Sequence, residues 1–508
     1  MELEHPELST FEPVLRHQFQ VAHNGGLSEL EKKGYRFRDV SELRHLLLNP
    51  AAFRHFIRGC HYGYDRAQRQ VGDLVIDLET QIRDAADELR KFRMARDTRA
   101  RGLFRRIEVL RCRQVVLRRL IDSILYTIVG ARTWVIRRFL QEYQIRPVNP
   151  ATLKGTIELA SDFNRQDRMS FNLVSDLTTV VQIGDLVSIN ITGLGQAEWR
   201  LIEIKEGRVN EILSGVIEKS GGNLTSDDHQ LIKTVFGDHG IKQAQRMIRQ
   251  QSRMTEVHKI LQTDRGIDPL LKREIRITPD SVELDDCHEA VHRVWDKARK
   301  NGIGVAVVDG CLRFVATSAA NMKILGHMGV AHLFYHLANP DKVCSLPDPQ
   351  QSENEVEALK SVPLFVDLIE HNMKGQLGCP LFVWKEEQAV LDLLAGRIRI
   401  FIQFDLERFF LLAEAENIKM TWVRGKDADE LKGISRRIPG SPDAWGIRAE
   451  LPDGSIQTLL LGFVGRAIVD LTPPRELLRL VKRYPEQVAK MVERERQSCD
   501  PQVPPLVT

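Results

Sequence analysis

Cysteine is scarce in this 508-residue chain, and none of its seven cysteines forms a CxxC pair. Scattered cysteines in odd number argue against a disulfide framework and against a structural zinc site. Cys287, His288 and His292 come nearest to a ligand cluster, but no second ligand pair follows them at a suitable spacing. We therefore interpret this stretch as a helix that carries a buried cysteine and two surface histidines.

Long apolar runs are also missing. None approaches the roughly 20 residues that a membrane-spanning helix needs. The N-terminal sequence MELEHPELSTFEP is acidic and lacks the apolar core of a secretory signal. Together these absences predict no membrane contact and a cytoplasmic location.

Several nucleotide-binding and hydrolase motifs are absent. The chain contains no P-loop, no GxGxxG sequence that opens a helix, and no GxSxG. The sequence therefore gives no basis for an ATP-driven motor, a dinucleotide enzyme or a serine hydrolase.

Proline is absent from residues 64–143, where only Gly72, Gly102 and Gly130 interrupt the chain. Apolar residues in this stretch recur at steps of three and four, which is the period of a helix. The pattern predicts one or two long helices, or an antiparallel pair hinged near Gly102. The apolar positions that carry the pattern are Val71, Leu74, Val75, Leu78 and Ile82.

The basic residues are concentrated although the net charge is only +3. Residues 90–119 contain twelve lysines or arginines against two acids, Asp97 and Glu108. Such an excess of positive charge favours contact with a phosphate backbone or an acidic partner. The alternative is a solvated helix face without a binding role.

The sequence GDLVSINITGLGQAEWRLIEIKEG predicts a β-hairpin, because two runs rich in Val, Ile and Leu flank Gly193 and Gly195. Within a strand, Glu203 and Lys205 share one face, since residues two apart point the same way. Asp185 lies eighteen residues before Glu203, at the head of the partner strand. A hairpin of this length brings its carboxylate beside Glu203.

Two adjacent carboxylates repel each other unless a cation lies between them. Mg²⁺ suits such a pair, because it accepts one or two carboxylates and completes its shell with water and phosphate. The backbone carbonyl of Ile204 is a natural third oxygen. Lys205 would then orient or deprotonate a water molecule, or neutralise phosphate charge.

An aspartate followed by Glu-x-Lys on the two strands of a hairpin resembles the PD-(D/E)XK nuclease superfamily. The resemblance covers about residues 115–265 and implies a mixed β-sheet flanked by helices, that is, an α/β nuclease core. It implies Mg²⁺ or Mn²⁺ bound by Asp185 and Glu203, with Lys205 as the catalytic lysine. Gly184 stands where the family name has proline.

Family members often add an acid from a preceding helix, and three residues stay open for that role: Asp122, Glu158 and Asp162. Some members also place a glutamine on the helix that follows the lysine strand. Gln243 and Gln245 have a similar placement in this sequence.

We expect three regions, namely a helical N-terminal region at 1–113, a nuclease-like domain at 114–265 and an α+β C-terminal domain of unknown role at 278–508. The expected function is that of a Mg²⁺-dependent endonuclease acting on DNA, in defence against foreign DNA by analogy with the superfamily. Two alternatives stay open: an RNase, and a non-catalytic scaffold that binds nucleic acid or protein. The helical or the C-terminal region could mediate homo-oligomerisation or contact with a partner protein.

Overall fold

The computed structural model describes residues 10–129, 133–140, 145–193, 196–204, 208–220, 223–263, 265–268, 272–276, 286–324, 334, 365–369, 386–432, 438 and 443–498. The chain forms two compact units. One is Pro13–Arg276, and the other is Ile277–Thr508 together with Met1–Glu12. Within the ranges given, no helix is both long and apolar enough to cross a bilayer.

The N-terminal part of the chain is helical, as predicted. Asn49 begins the longest helix: its side chain accepts hydrogen bonds from the Ala51 and Ala52 amides, and Pro50 occupies the first helical position. The helices are Glu12–His23 (α1), Gly25–Lys32 (α2), Val40–Leu46 (α3), Pro50–Met94 (α4) and Ala100–Ile128 (α5).

Helices α4 and α5 form an antiparallel pair. Gln114 on α5 donates a 3.1 Å hydrogen bond to Glu79 on α4, which fixes the register of the pair. The turn of the pair occupies residues 95–99, close to the hinge predicted near Gly102, and Gly102 itself lies inside α5. Arg96 provides the left-handed residue of this turn with φ 54°, and Asp97 accepts the Arg99 amide at 2.9 Å.

The apolar stripe predicted from the sequence faces the interior of this pair. Val71, Val75, Leu78 and Ile82 are buried, at the three- and four-residue spacing that one face of a helix requires, whereas Leu74 is half-buried. Burial of this stripe is the main stabilisation of so long a helix, because helical propensity alone contributes little.

The α4–α5 pair leads into helices Thr133–Phe139 (α6) and Pro150–Gln166 (α7) and then into a small sheet. Strands Ser170–Val174 (β1), Leu186–Gly193 (β2) and Gln196–Ile202 (β3) pair in the order β1-β2-β3. The predicted hairpin is confirmed as β2 and β3. Every described pairing in the sheet is antiparallel, whereas the resemblance implied a mixed sheet.

Two helices and a second hairpin complete this unit. Helices Arg208–Lys219 (α8) and Ser226–Thr263 (α9) pack through a small apolar cluster that contains Leu213, Ile232 and Met247. Helix α9 has a kink at Gly237, whose φ is 68°. Strands Arg265–Asp268 (β4) and Arg273–Arg276 (β5) form the hairpin.

The other unit combines helices with two antiparallel sheets. Four strands pair in the order β6-β7-β9-β8: Ile303–Val308 (β6), Leu312–Ser318 (β7), Phe365–Asp367 (β8) and Ile398–Phe404 (β9). Three more pair in the order β10-β11-β12: Lys419–Val423 (β10), Gly446–Glu450 (β11) and Ile456–Leu459 (β12). The helices are His288–Asn301 (α10), Glu387–Leu394 (α11), Leu406–Ala415 (α12), Asp429–Lys432 (α13), Leu461–Val464 (α14), Arg466–Val469 (α15) and Pro474–Ser498 (α16).

The chain is thus a mixture of helices and small antiparallel sheets with a long helical N-terminal region. Helix α5 runs through residues 113 and 114, where the sequence placed the boundary between the helical region and the nuclease-like domain. The long α4–α5 pair and the β1–β3 sheet belong to the same compact unit.

Candidate functional site

The backbone at the open end of the β2–β3 hairpin brings Asp185 and Glu203 to adjacent positions. Leu186 pairs with Ile202 in the ladder, so the next residues outward are Asp185 and Glu203. The Asp185 amide donates a 2.8 Å hydrogen bond to the Ile202 carbonyl. The Ile204 amide in turn donates a 2.6 Å hydrogen bond to Oδ2 of Asp185. The predicted proximity of Asp185 to the Glu203 segment is therefore present in the backbone.

Gly184 determines the backbone conformation of the turn that leads into Asp185. Its φ is +70°, a conformation that proline, fixed near −65°, cannot adopt. A Cβ atom at Gly184 would also lie 3.1 Å from the Ile202 carbonyl oxygen. Glycine in place of the family's proline is thus a requirement of this turn.

The prediction that Glu203 lies within the second strand of the hairpin was wrong. Strand β3 ends at Ile202, so Glu203 and Ile204 follow the strand and do not belong to it. The ladder ends here because the Ile204 amide bonds to the Asp185 carboxylate and not to a backbone carbonyl. Lys205 lies outside the described residues, and its predicted position beside Glu203 stays a prediction.

Asp176, which the sequence reasoning missed, is a further acid at the same edge of the sheet. It lies in the turn Ser175–Leu177 directly after β1, and the Ser175 amide donates a 2.9 Å hydrogen bond to the Asp185 carbonyl. The pKa of Asp176 is raised, mainly because neighbouring protein atoms partly desolvate its carboxylate. The positive charges of Arg118 and Arg146 lower this pKa, and the negative charge of Glu203 raises it further. Its side chain nevertheless keeps access to solvent. The sequence feature that could have identified Asp176 is an acid that directly follows an apolar strand.

Asp122 has a structural role in this protein. Its side chain is fully buried, and its two carboxylate oxygens accept hydrogen bonds from the Thr179 amide at 2.8 Å and from Arg119 at 2.9 Å. The Thr179 hydroxyl donates a further hydrogen bond to Asp122. These contacts fasten α5 to the chain that follows the Asp176 turn.

The other acids and glutamines considered for the site are exposed or take part in contacts away from the β2–β3 strand ends. Glu158 and Asp162 are exposed on α7, and Asp162 pairs with Arg165. Gln243 donates a 3.1 Å hydrogen bond to Asn210, which ties α9 to α8, and Gln245 is exposed.

The histidine cluster in the other unit lies at the first turn of α10. The sequence His288-Glu289-Ala290-Val291-His292 conforms to the HExxH pattern of zinc proteases, in which two histidines share a helix face, and the motif search in the sequence missed this match. Here His288 pairs with Asp286 and His292 pairs with Glu386, each at 2.9 Å. Cys287 is buried and both histidines are partly exposed, which agrees with the interpretation made from the sequence.

Within the described ranges, no three His, Cys, Asp or Glu side chains are arranged to hold a metal ion. The sheet edge offers a sparser set, namely the carboxylates of Asp185 and Glu203 and the carbonyl of Ile204. Mg²⁺ binds proteins through sets of this kind, because it retains several water ligands.

The tip of the α4–α5 pair (residues 90–106, here called the hairpin tip) carries most of the basic segment. Arg118 and Arg119 of that segment are buried and bond to the protein itself, Arg118 to the Thr178 and Arg146 carbonyls. Met94 and Phe104 add exposed apolar surface at the tip. The exposed basic residues there are Arg90, Lys91, Arg93, Arg96, Arg99, Arg101, Arg105 and Arg106.

Comparison of the chain with protein-family models, curated proteins and solved structures gave no match. The resemblance to the PD-(D/E)XK superfamily therefore stays a prediction from the sequence.

Replacement of Asp122 by alanine should destabilise the unit Pro13–Arg276 strongly. The change removes one partner of a fully buried ion pair, which typically costs about 3–5 kcal/mol in the free energy of unfolding. Urea unfolding followed by circular dichroism measures this destabilisation.

Asp162→Ala is the matched control, because it removes the same carboxylate from an exposed pair on α7. Its cost should stay below about 1 kcal/mol. Equal costs for the two variants would contradict the structural role of Asp122.

Proposed function

We propose that the chain is a divalent-metal-dependent nuclease whose reaction centre lies at the open end of the β2–β3 hairpin. The observation that carries the proposal is the contact between the two strand ends, where Asp185 accepts the Ile204 amide and stands next to Glu203 in register. The site assignment is catalytic Asp185, Glu203 and Lys205, with DNA as the substrate.

A divalent ion, Mg²⁺ or Mn²⁺, would be held by the Asp185 and Glu203 carboxylates and the Ile204 carbonyl. When bound, such an ion acidifies a water molecule and offsets the charge of the phosphate in the transition state. The donor set fits this role, because all three ligands are hard oxygens that the backbone brings to one strand end.

Each residue of the site has a separate task in this proposal. The Ile204 amide fixes the Asp185 carboxylate in one orientation through its 2.6 Å hydrogen bond. Lys205 orients or deprotonates the attacking water and neutralises phosphate charge. Asp176, the acid on the neighbouring turn, adds negative charge at the same edge of the sheet and is not one of the metal ligands.

The hairpin tip supplies the contact with the phosphate backbone. Along α5, Arg101 lies seventeen residues before Arg118, which corresponds to about 26 Å of helix. Arg118 bonds to the Thr178 carbonyl, two residues from Asp176. A duplex that touches both the tip and the site would therefore span about eight base pairs. We place the activity in defence against foreign DNA by analogy with the superfamily.

Metal-dependent cleavage should depend on the three assigned residues. We expect wild-type protein with Mg²⁺ or Mn²⁺ to cut plasmid DNA, and Asp185→Asn, Glu203→Gln and Lys205→Ala to cut roughly 100- to 1,000-fold more slowly. Asparagine at 185 keeps an oxygen for the Ile204 amide, so the slower rate would report on charge and not on the fold. Gel assays on plasmid, single-stranded DNA and RNA measure the rates.

Asp84→Asn is the control, because it neutralises an exposed carboxylate on α4 far along the helix from the β1–β3 contacts. It should cut like wild type. Cleavage of RNA alone would replace DNA by RNA as the substrate, and wild-type protein that cuts nothing would contradict the nuclease assignment.

Binding to duplex DNA should depend on salt through the hairpin tip. Replacement of Lys91, Arg101 and Arg106 by alanine removes three exposed charges. The plot of log K against log salt should become shallower by about 0.9 for each DNA phosphate that the variant no longer neutralises. Fluorescence anisotropy with a labelled duplex, without divalent metal, measures the slope.

The variant with Arg293, Lys297 and Lys300 changed to alanine loses the same charge from the exposed face of α10. Its slope should equal that of wild type. If the two triple variants behave alike, the tip has no special role in binding.

A further inference from the structure

A cavity of about 910 Å³ lies in the unit Pro13–Arg276, among α1, α2, the first turns of α4 and the end of α7. Its size falls in the range of small-ligand pockets, roughly 300–1,000 Å³. The proposed nuclease site uses none of the residues that line it. The basic residues of the lining are Lys32, Lys33, Arg58, Arg66, Arg165 and Arg168.

The cavity is strongly positive. Six lysines and arginines face two acids, Glu29 and Asp167, and one of the six, Arg165, also pairs with Asp162, so an excess of three positive charges remains. Asp167 is already engaged: it accepts hydrogen bonds from the Met169 amide at 2.9 Å and from the Ser170 hydroxyl at 2.6 Å, which lower its pKa. His17 and His55 also line the cavity.

The helices that form the cavity are packed backbone against backbone. A Cβ atom at Gly59 would lie 2.5 Å from the Gly25 carbonyl oxygen, and one at Gly63 would lie 2.8 Å from the Val21 carbonyl oxygen. Side chains larger than hydrogen would therefore push α2 away from α4. This close approach holds the basic side chains of the two helices around one space.

The α7 side of the cavity is fastened to α4 by buried hydrogen bonds. His61 Nδ1 lies 3.0 Å from the Arg168 carbonyl, and burial lowers the pKa of His61 to about 4, so the neutral ring donates this bond. Asp65 accepts hydrogen bonds from Ser161 at 3.1 Å and from Asn164 at 3.0 Å. The wall that presents Arg165 and Arg168 is thus preformed.

We infer that this cavity binds a small phosphate-bearing ligand of nucleotide size. Arginine guanidinium groups bind phosphate oxygens through paired, charge-assisted hydrogen bonds. The side chain of Tyr62 lines the cavity and is 55% exposed, so its ring offers a face on which a base can stack.

The arrangement fits a small ligand better than a nucleic-acid strand. Its basic residues come from three segments of the chain and line one half-open pocket, whereas those of the hairpin tip follow one another along two helices. The site is independent of the proposed nuclease centre, so its test needs no cleavage.

Isothermal titration calorimetry with ATP, GTP, inorganic pyrophosphate and adenosine tests the inference. Wild-type protein should bind at least one of the phosphate compounds and should not bind adenosine, which lacks phosphate. The double variant Arg58→Ala/Arg66→Ala should bind about tenfold or more weakly, since it lacks two of the guanidinium groups that donate charge-assisted hydrogen bonds to phosphate.

The control is Arg83→Ala/Arg249→Ala, which removes two exposed arginines of the same unit that do not line the cavity. It should bind like wild type, and circular dichroism should show both variants folded. Three results would overturn the inference: no binding of any phosphate compound, equal affinity in the two double variants, or binding of a single-stranded oligonucleotide that depends on Arg58 and Arg66 while the small compounds do not bind.

Discussion

The unit Pro13–Arg276 depends on buried hydrogen bonds that join the long helices to the edge of the β1–β3 sheet. Gln68 on α4 donates to the Asn172 carbonyl at 3.1 Å and accepts the Val174 amide at 2.9 Å. On α5, Asp122 accepts the Thr179 amide. Since buried polar groups are costly unless they are paired, these bonds fix where β1 ends. The turn with Asp176, and through it Asp185, is positioned as a result.

The local features of the site could be predicted from the sequence, and the long-range ones could not. Alternating apolar residues on both sides of Gly193 predict the β2–β3 hairpin, whose register places Asp185 next to Glu203. The end of β3 at Ile202 depends on a side chain capturing a backbone amide, which a periodic pattern does not encode. Asp122 was one of three acids left open for the site, because it lies on a helix that precedes the hairpin. Only its contacts with Arg119 and Thr179 show that it is structural.

The positive charge of this unit is divided between two surfaces of different form. The hairpin tip is exposed and extended, which suits a long polyanion, while the cavity beside α7 is a half-open pocket with basic residues from three segments, which suits a compact one. The sequence predicted the first from a run of arginines in one segment. It could not predict the second, because the basic residues of the cavity come from separate segments of the chain and meet only when the glycines of α2 and α4 pack together.

The measurement that tests the central claim most directly is the melting temperature of the protein as Mn²⁺ is added, compared between wild type and Asp185→Asn. A ligand that binds only the folded state stabilises it by RT ln(1 + [L]/Kd). If Asp185 and Glu203 hold the ion, the melting temperature of wild type should rise with Mn²⁺ concentration and that of the variant should not. Equal rises in the two proteins would show that the ion binds elsewhere and would contradict the proposed centre.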